Sequence, residues 1–185
     1  VLDDGYVDGA VTQIGSHTPA GPFSGGKYSV YEGGTRTPFI ATWPSRIQPG
    51  VSDKVVCTVD LAASLAALTE TPIAENACLD SQNILPALLG EKGAKGRESL
   101  LQQDNNGNNL GLRMGEWKLV RMKTKGKSQA VVTMKSRDES QAPLHCLFHL
   151  PDDPAELKDL STEQPERLKT MIAKMDEIVA APTRK

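Results

Sequence analysis

Apolar residues recur at helical spacing near the end of the sequence. Leu168, Met171, Ile172, Met175, Ile178 and Val179 follow the i, i+3, i+4, i+7 rhythm of one helix face. The pattern predicts an amphipathic helix over 161–179, opened by Ser161 or Thr162 and carrying Pro165 in its first turn, where a missing N–H costs nothing. Its apolar face calls for a sheet to pack against. Leu61, Leu65 and Leu68 repeat the rhythm inside the Ala-rich stretch 55–68, with Thr58 or Asp60 as cap and Thr71-Pro72 beyond its end. A shorter helix is predicted within 81–89, with Gly90 past its end.

Strand signals are of two kinds. The run Pro38-Phe39-Ile40-Ala41-Thr42-Trp43-Pro44 is short, apolar and bounded by prolines, and reads as a buried strand. Residues 110–122, 129–135 and 144–150 are strand-like pieces separated by turns rich in Lys, Gly and Ser, which predicts a small antiparallel sheet. Residues 15–27 have no periodicity and read as an ordered loop, and 90–96 as a linker. The organisation expected is an α/β part over 1–90 and a small α+β subdomain over 97–185.

Composition narrows the function classes. With 185 residues and a net charge of −2, the chain has no basic excess with which to neutralise phosphates, so a nucleic-acid partner is not expected. No apolar run approaches the ~18 residues of a membrane span. Cys57, Cys78 and Cys146 lack CxxC spacing, which argues against a zinc site. Cys57 and Cys146 sit in apolar runs and read as buried thiols, and a Cys57–Cys78 bridge is not decided by spacing. The chain starts Val1-Leu2-Asp3-Asp4-Gly5, without Met or a signal peptide, and is expected to be a piece of a larger protein.

Three segments carry a family resemblance. Gly25-Gly26-Lys27-Tyr28-Ser29-Val30-Tyr31-Glu32-Gly33-Gly34-Thr35-Arg36-Thr37-Pro38-Phe39 resembles the GGK-x-x-x-YEGG-x-R-x-P-F segment of type I, formylglycine-dependent sulfatases, and Trp43-Pro44 and Ile47-x-Pro49-Gly50 continue the match. Gly115-Glu116-Trp117-Lys118-Leu119-Val120 resembles that family's G-[DE]-WK-L strand. Leu147-Phe148-His149-Leu150-Pro151-Asp152-Asp153-Pro154-Ala155-Glu156 resembles its LY-[DN]-L-x-x-DP-x-E turn. The resemblance implies an α/β fold, the C-terminal part of an alkaline-phosphatase-like sulfatase fold that ends in a small antiparallel sheet with a packed C-terminal helix. It also implies hydrolysis of sulfate esters, with a sulfated small molecule or carbohydrate as substrate and secretion or periplasmic export.

The chemistry explains the residues to look for. A sulfuryl group in transfer spreads negative charge over its oxygens, so cations must surround it, and the leaving alcohol needs a proton. The resemblance places Lys27 on the sulfate oxygens, in a loop where Gly25 and Gly26 let the backbone approach. His17 is the candidate for substrate contact or proton transfer, with a plain loop histidine as the alternative. Asn105 and Asn106, in an amide-rich run, are candidates for binding sugar hydroxyls. Glu32 and Arg36 read as scaffolding behind the site, and His145 and His149 as structural residues on one strand face.

In the family the nucleophile is formylglycine made from a C/S-x-P-S/T-R motif, and calcium binds the sulfate. None of the three cysteines is followed by that motif, and Asp3-Asp4-Gly5 is either a degenerate metal motif or ordinary loop carboxylates. No metal ligand is therefore assigned, neither cofactor is expected to be complete in this chain, and the chain alone is expected to be inactive. Self-association through apolar faces left without partners is expected. Two alternatives stay open: a phosphate or phosphonate ester hydrolase of the same superfamily, and a non-catalytic carbohydrate-binding or assembly module.

Overall fold

The computed structural model of the chain describes residues 6–7, 10–11, 16–123 and 144–182. They fall into two compact units, one built from Val1–Thr37 and Leu101–Met175, the other from Pro38–Leu100 and Asp176–Lys185. Residues 24–36 belong to the first unit, together with the sheet.

The first unit begins with a two-stranded ribbon, β1 (Tyr6–Val7) against β2 (Ala10–Val11), antiparallel. A long ordered loop leads to the single helical turn α1 (Glu32–Thr35). Its main body is a four-stranded sheet in the order β3-β4-β5-β6, made of β3 (Ser99–Gln103), β4 (Leu110–Met114), β5 (Trp117–Arg121) and β6 (His145–His149). Strands β4, β5 and β6 pair antiparallel.

Register decides which residues share a face. Arg113 lies opposite Lys118, and Lys118 opposite Phe148; the next row on that face is Gly111, Val120 and Cys146. Val30 and Tyr31 of the loop join Val120, Met122, Cys146, Phe148 and Leu150 in one core cluster. The Tyr31 and Phe148 rings meet at 6.3 Å in a tilted arrangement, which aromatic quadrupoles favour. The loop approaches β4 closely at Gly111, where a Cβ would stand 3.0 Å from the Val30 side chain, which would have to shift by a few tenths of an ångström. The intervening row, Leu112, Leu119 and Leu147, points to the other face and is fully buried. Helix α4 (Pro165–Ala180) buries Met171 and Met175, and the Arg167 guanidinium lies 4.4 Å over the Trp117 ring of β5.

The sheet and the C-terminal helix are as expected. Strand β3 was not anticipated, since its polar end merges with the amide-rich run that follows. Residues 129–135 lie outside the described residues.

In the second unit a 3-10 turn (Thr58–Asp60) leads into α2 (Leu61–Leu68), and α3 (Leu85–Leu88) follows with Gly90 beyond it at φ +70°. Asp60 ties this unit together. Its buried carboxylate receives the Arg97 guanidinium at 2.6 and 2.7 Å, the Gln82 N–H at 2.8 Å and the Cys57 N–H at 3.2 Å. The two-point fork of a guanidinium on a carboxylate compensates both charges for lost water.

The segment Pro38–Pro44 is not a buried strand. It carries no strand pairing, and Ile40 is 89% exposed and Phe39 46%. A strand exists only by pairing, and the prolines that bound this run supply no amide donor. None of the three cysteines is in a disulfide: Cys146 is buried, Cys57 half-buried and Cys78 exposed, so no Cys57–Cys78 bridge forms. Among the described residues no helix is long and apolar enough to cross a membrane.

Candidate functional site: a lysine loop held by buried charge

The fold brings the three sequence segments to one place, and buried charge is what joins them. Glu32 enters from α1, Lys118 from the middle of β5 and Glu156 from the turn after β6. Lys118 Nζ is 2.8 Å from Glu32 Oε1 and 3.2 Å from Glu156 Oε1. The Glu32 backbone N–H donates to Glu156 Oε2 at 2.7 Å. On its other oxygen Glu32 receives Arg36 Nε at 2.7 Å and Arg113 Nη1 at 3.1 Å. Glu32 and Arg36 thus form the local charged pair that their spacing allows.

Environment separates the two carboxylates. Burial works to raise the Glu32 pKa, but the charge of Lys118, its hydrogen bond, the hydrogen bond of Arg36 and the charge of Arg113 together hold it below the ordinary value. Burial also raises Glu156, the Lys118 charge and the Glu32 N–H only partly oppose it, and its pKa is pushed up to about 7. Glu32 is therefore the more readily ionised partner, and Glu156 keeps its proton to higher pH than an ordinary carboxylate.

This cluster underlies the loop that carries Lys27. The Gly33 N–H donates to the Ser24 carbonyl at 2.7 Å and closes the loop on itself. Within it, Gly25 stands at φ +73°, and a Cβ there would run into the Ser29 hydroxyl, so only glycine fits. Tyr28 also holds a positive φ, 81°, which is strained for an aromatic residue. Its carbonyl accepts the Asn105 N–H at 3.0 Å.

Lys27 is exposed, with its ammonium 4.7 Å over the Tyr28 ring. No described carboxylate lies within ion-pair distance of it, in contrast to the cations beneath the loop. Asn105 and Asn106 belong to the turn between β3 and β4, and the Asn105–Tyr28 bond sets that turn beside the lysine loop. Asp104 organises the turn, accepting from the Asn108 N–H and the Asn109 side-chain amide, both at 2.8 Å. Asn105 and Asn106 are left exposed at its tip. His17 is exposed before the Thr18–Gly21 turn and makes no hydrogen bond with Lys27.

His149 closes the far end of β6, with Nδ1 2.7 Å from Asp152 and its ring 4.7 Å from the Trp117 ring at a tilt of 45°. Among the described residues no three His, Cys, Asp or Glu side chains come together as a metal site. Asp3 and Asp4 lie outside the described residues.

The sequence pointed to Lys27 and Glu32 but gave no role to Lys118, Arg113 or Glu156. The available signal was a lysine within the apolar run Trp117-Lys118-Leu119-Val120, since a charge in such a run must find partners or stay unburied.

No family model matches the chain. Among curated proteins it is 38% identical over 166 residues to an N-acetylgalactosamine-6-O-sulfatase of Bacteroides thetaiotaomicron, a match that takes in 90% of this chain and 32% of that protein. It is 44% identical over 75 residues to human arylsulfatase A, taking in 40% of this chain and 14% of that protein. Among solved structures, a sulfatase from the glycosaminoglycan-metabolism locus of Bacteroides thetaiotaomicron superposes with a TM-score of 0.77 at 32% identity, over 95% of this chain and 37% of that one. The chain thus spans about a third of the length of the Bacteroides relatives it matches.

Proposed function

We propose that this chain, a homologue of the C-terminal portion of sulfatases, serves sulfate ester hydrolysis by presenting Lys27 to the sulfate group. The observation that carries the reading is an exposed ammonium on a glycine-built loop with no carboxylate within ion-pair distance among the described residues, whereas Lys118, Arg113 and Arg36 are each paired with Glu32. An unneutralised cation held in place is suited to oxygens that gain negative charge as the S–O bond breaks. Lys27 is the binding and charge-stabilising residue in this reading. His17 gives a proton to the leaving oxygen, and Asn105 and Asn106 hydrogen-bond sugar hydroxyls.

The substrate class proposed is a 6-sulfated N-acetylhexosamine within a carbohydrate, supported by the name of the relative that matches 90% of the chain. Formylglycine supplies the nucleophile in the proposed reaction, and calcium further positive charge. No residue of this chain is assigned to hold either group. Secretion or export to the periplasm accompanies a polysaccharide substrate in this reading.

The test is a titration of the chain with N-acetylgalactosamine 6-sulfate, followed through the backbone amide signals of Lys27, Tyr28 and Asn105. The sulfated sugar is expected to shift these signals, N-acetylgalactosamine to leave them in place, and Lys27→Ala to abolish the response. Equal responses to both sugars, or a Lys27→Ala chain that binds as before, would overturn the reading.

A further inference from the structure

The lysine loop is fastened at both ends to one short turn more than a hundred residues away. At its start, the Ser24 hydroxyl donates to the Ala155 carbonyl. At its end, the Glu32 N–H donates to the Glu156 carboxylate. Between them the Gly33 N–H to Ser24 carbonyl bond draws the two stems together, and the Asn105 N–H holds the middle at Tyr28. The fastening turn is itself rigidly built. The Glu156 N–H donates to the Asp153 carbonyl at 3.0 Å, and the Asp153 carboxylate accepts the Leu157 and Lys158 N–H groups at 3.0 and 2.8 Å. Glu156 holds a left-handed backbone, φ 51°, which directs its side chain under the loop. Glu156 is 1% exposed, so water does not replace its bond to the loop.

We infer that Glu156 is a positioning residue for Lys27: by fixing the stem of the loop at Glu32, it sets where the lysine ammonium stands and so how tightly a sulfated ligand is held. The inference rests on the reading of Lys27 as the sulfate contact. The bond involved needs an acceptor oxygen on residue 156 rather than a negative charge. Lys118 already has Glu32 as its closer partner, and a side chain poised between charge states still accepts the Glu32 N–H in either one. A loop released at one stem must be ordered again when ligand binds, and that entropy is subtracted from affinity.

The experiment extends the N-acetylgalactosamine 6-sulfate titration to Glu156→Ala, Glu156→Gln and Ser24→Ala chains. Glu156→Ala is expected to weaken binding about tenfold, the scale of ordering one or two side chains at an interface. Glu156→Gln, whose amide oxygen accepts the same N–H, is expected to restore binding to within about twofold, on the same scale. Ser24→Ala loosens the other stem and is expected to weaken binding in the same direction. If Glu156→Ala does not fold, Ser24→Ala and Glu156→Gln decide the matter.

Unchanged affinity in both Ser24→Ala and Glu156→Ala, while Lys27→Ala abolishes binding, would overturn the positioning role and leave the Lys27 reading standing. Equal loss in Glu156→Gln and Glu156→Ala would also overturn it, since the acceptor oxygen would then not be what matters. Absence of binding in the unsubstituted chain would instead remove the Lys27 reading on which the inference rests.

Discussion

Lys118 Nζ lies 2.8 Å from Glu32 Oε1, with the two side chains 0% and 2% exposed. This pair links a central strand of the sheet to the helical turn that ends the lysine loop, and its second contact, to Glu156, ties in the last of the three sequence segments. Buried ion pairs need not stabilise a fold relative to apolar packing, but removing one partner leaves charge without compensation. Lys118→Met is therefore expected to destabilise the chain by about 3–5 kcal/mol. Urea denaturation checks this, and a loss below about 1 kcal/mol, the range of an exposed pair, would contradict it.

The two carboxylates predict opposite pH dependences. Glu156 binds its proton more tightly in the folded chain, with a pKa of about 7 against an ordinary 4.5. Its favourable contribution is complete below the unfolded value and is lost as pH rises through about 7. Glu32 is shifted the other way, so its contribution is present above its ordinary value of 4.5 and is lost as pH falls below it. Lys118, Arg113 and Arg36 are the basic groups that face Glu32, and Lys118 also faces Glu156. Stability measured against pH should fall between about pH 5 and 7, with a slope of at most about 1.4 kcal/mol per pH unit from this group. Glu156→Gln should remove that component. Identical pH profiles for the two chains would contradict the assignment.

Ile40 is 89% exposed, Phe39 before it in sequence 46%, and Val51 98%. Apolar groups this exposed favour contacts that remove them from water. The chain is expected to self-associate, and Ile40→Lys to shift it toward monomer. Light scattering across a concentration series checks this, and a monodisperse monomer without the substitution would contradict it.

The helix periodicity around Met171 and Met175, and the strand pieces around Lys118 and Phe148, were legible because their spacing records a buried face directly. The run 38–44 misled for a physical reason: its composition is that of a strand, but strand formation depends on a partner that composition does not contain. In the buried charge cluster, the Glu32–Arg36 pair could be read from the segment the two residues share, whereas Glu156 could not. Its importance arises from a hydrogen bond to the Glu32 N–H across 124 residues. Nothing local in Pro154-Ala155-Glu156 marks that relationship.

The central claim is that Lys27 meets the sulfate of the substrate. Its most direct measurement uses a chimera in which this chain replaces the matching segment of the Bacteroides thetaiotaomicron N-acetylgalactosamine-6-O-sulfatase, assayed on N-acetylgalactosamine 6-sulfate beside the isolated chain. The isolated chain is expected to give no turnover, and the chimera to be active. Lys27→Ala in the chimera should lower kcat/KM by about 10²–10³, the usual loss for one charge-stabilising group. A Lys27→Ala chimera as active as its unsubstituted parent would contradict the claim.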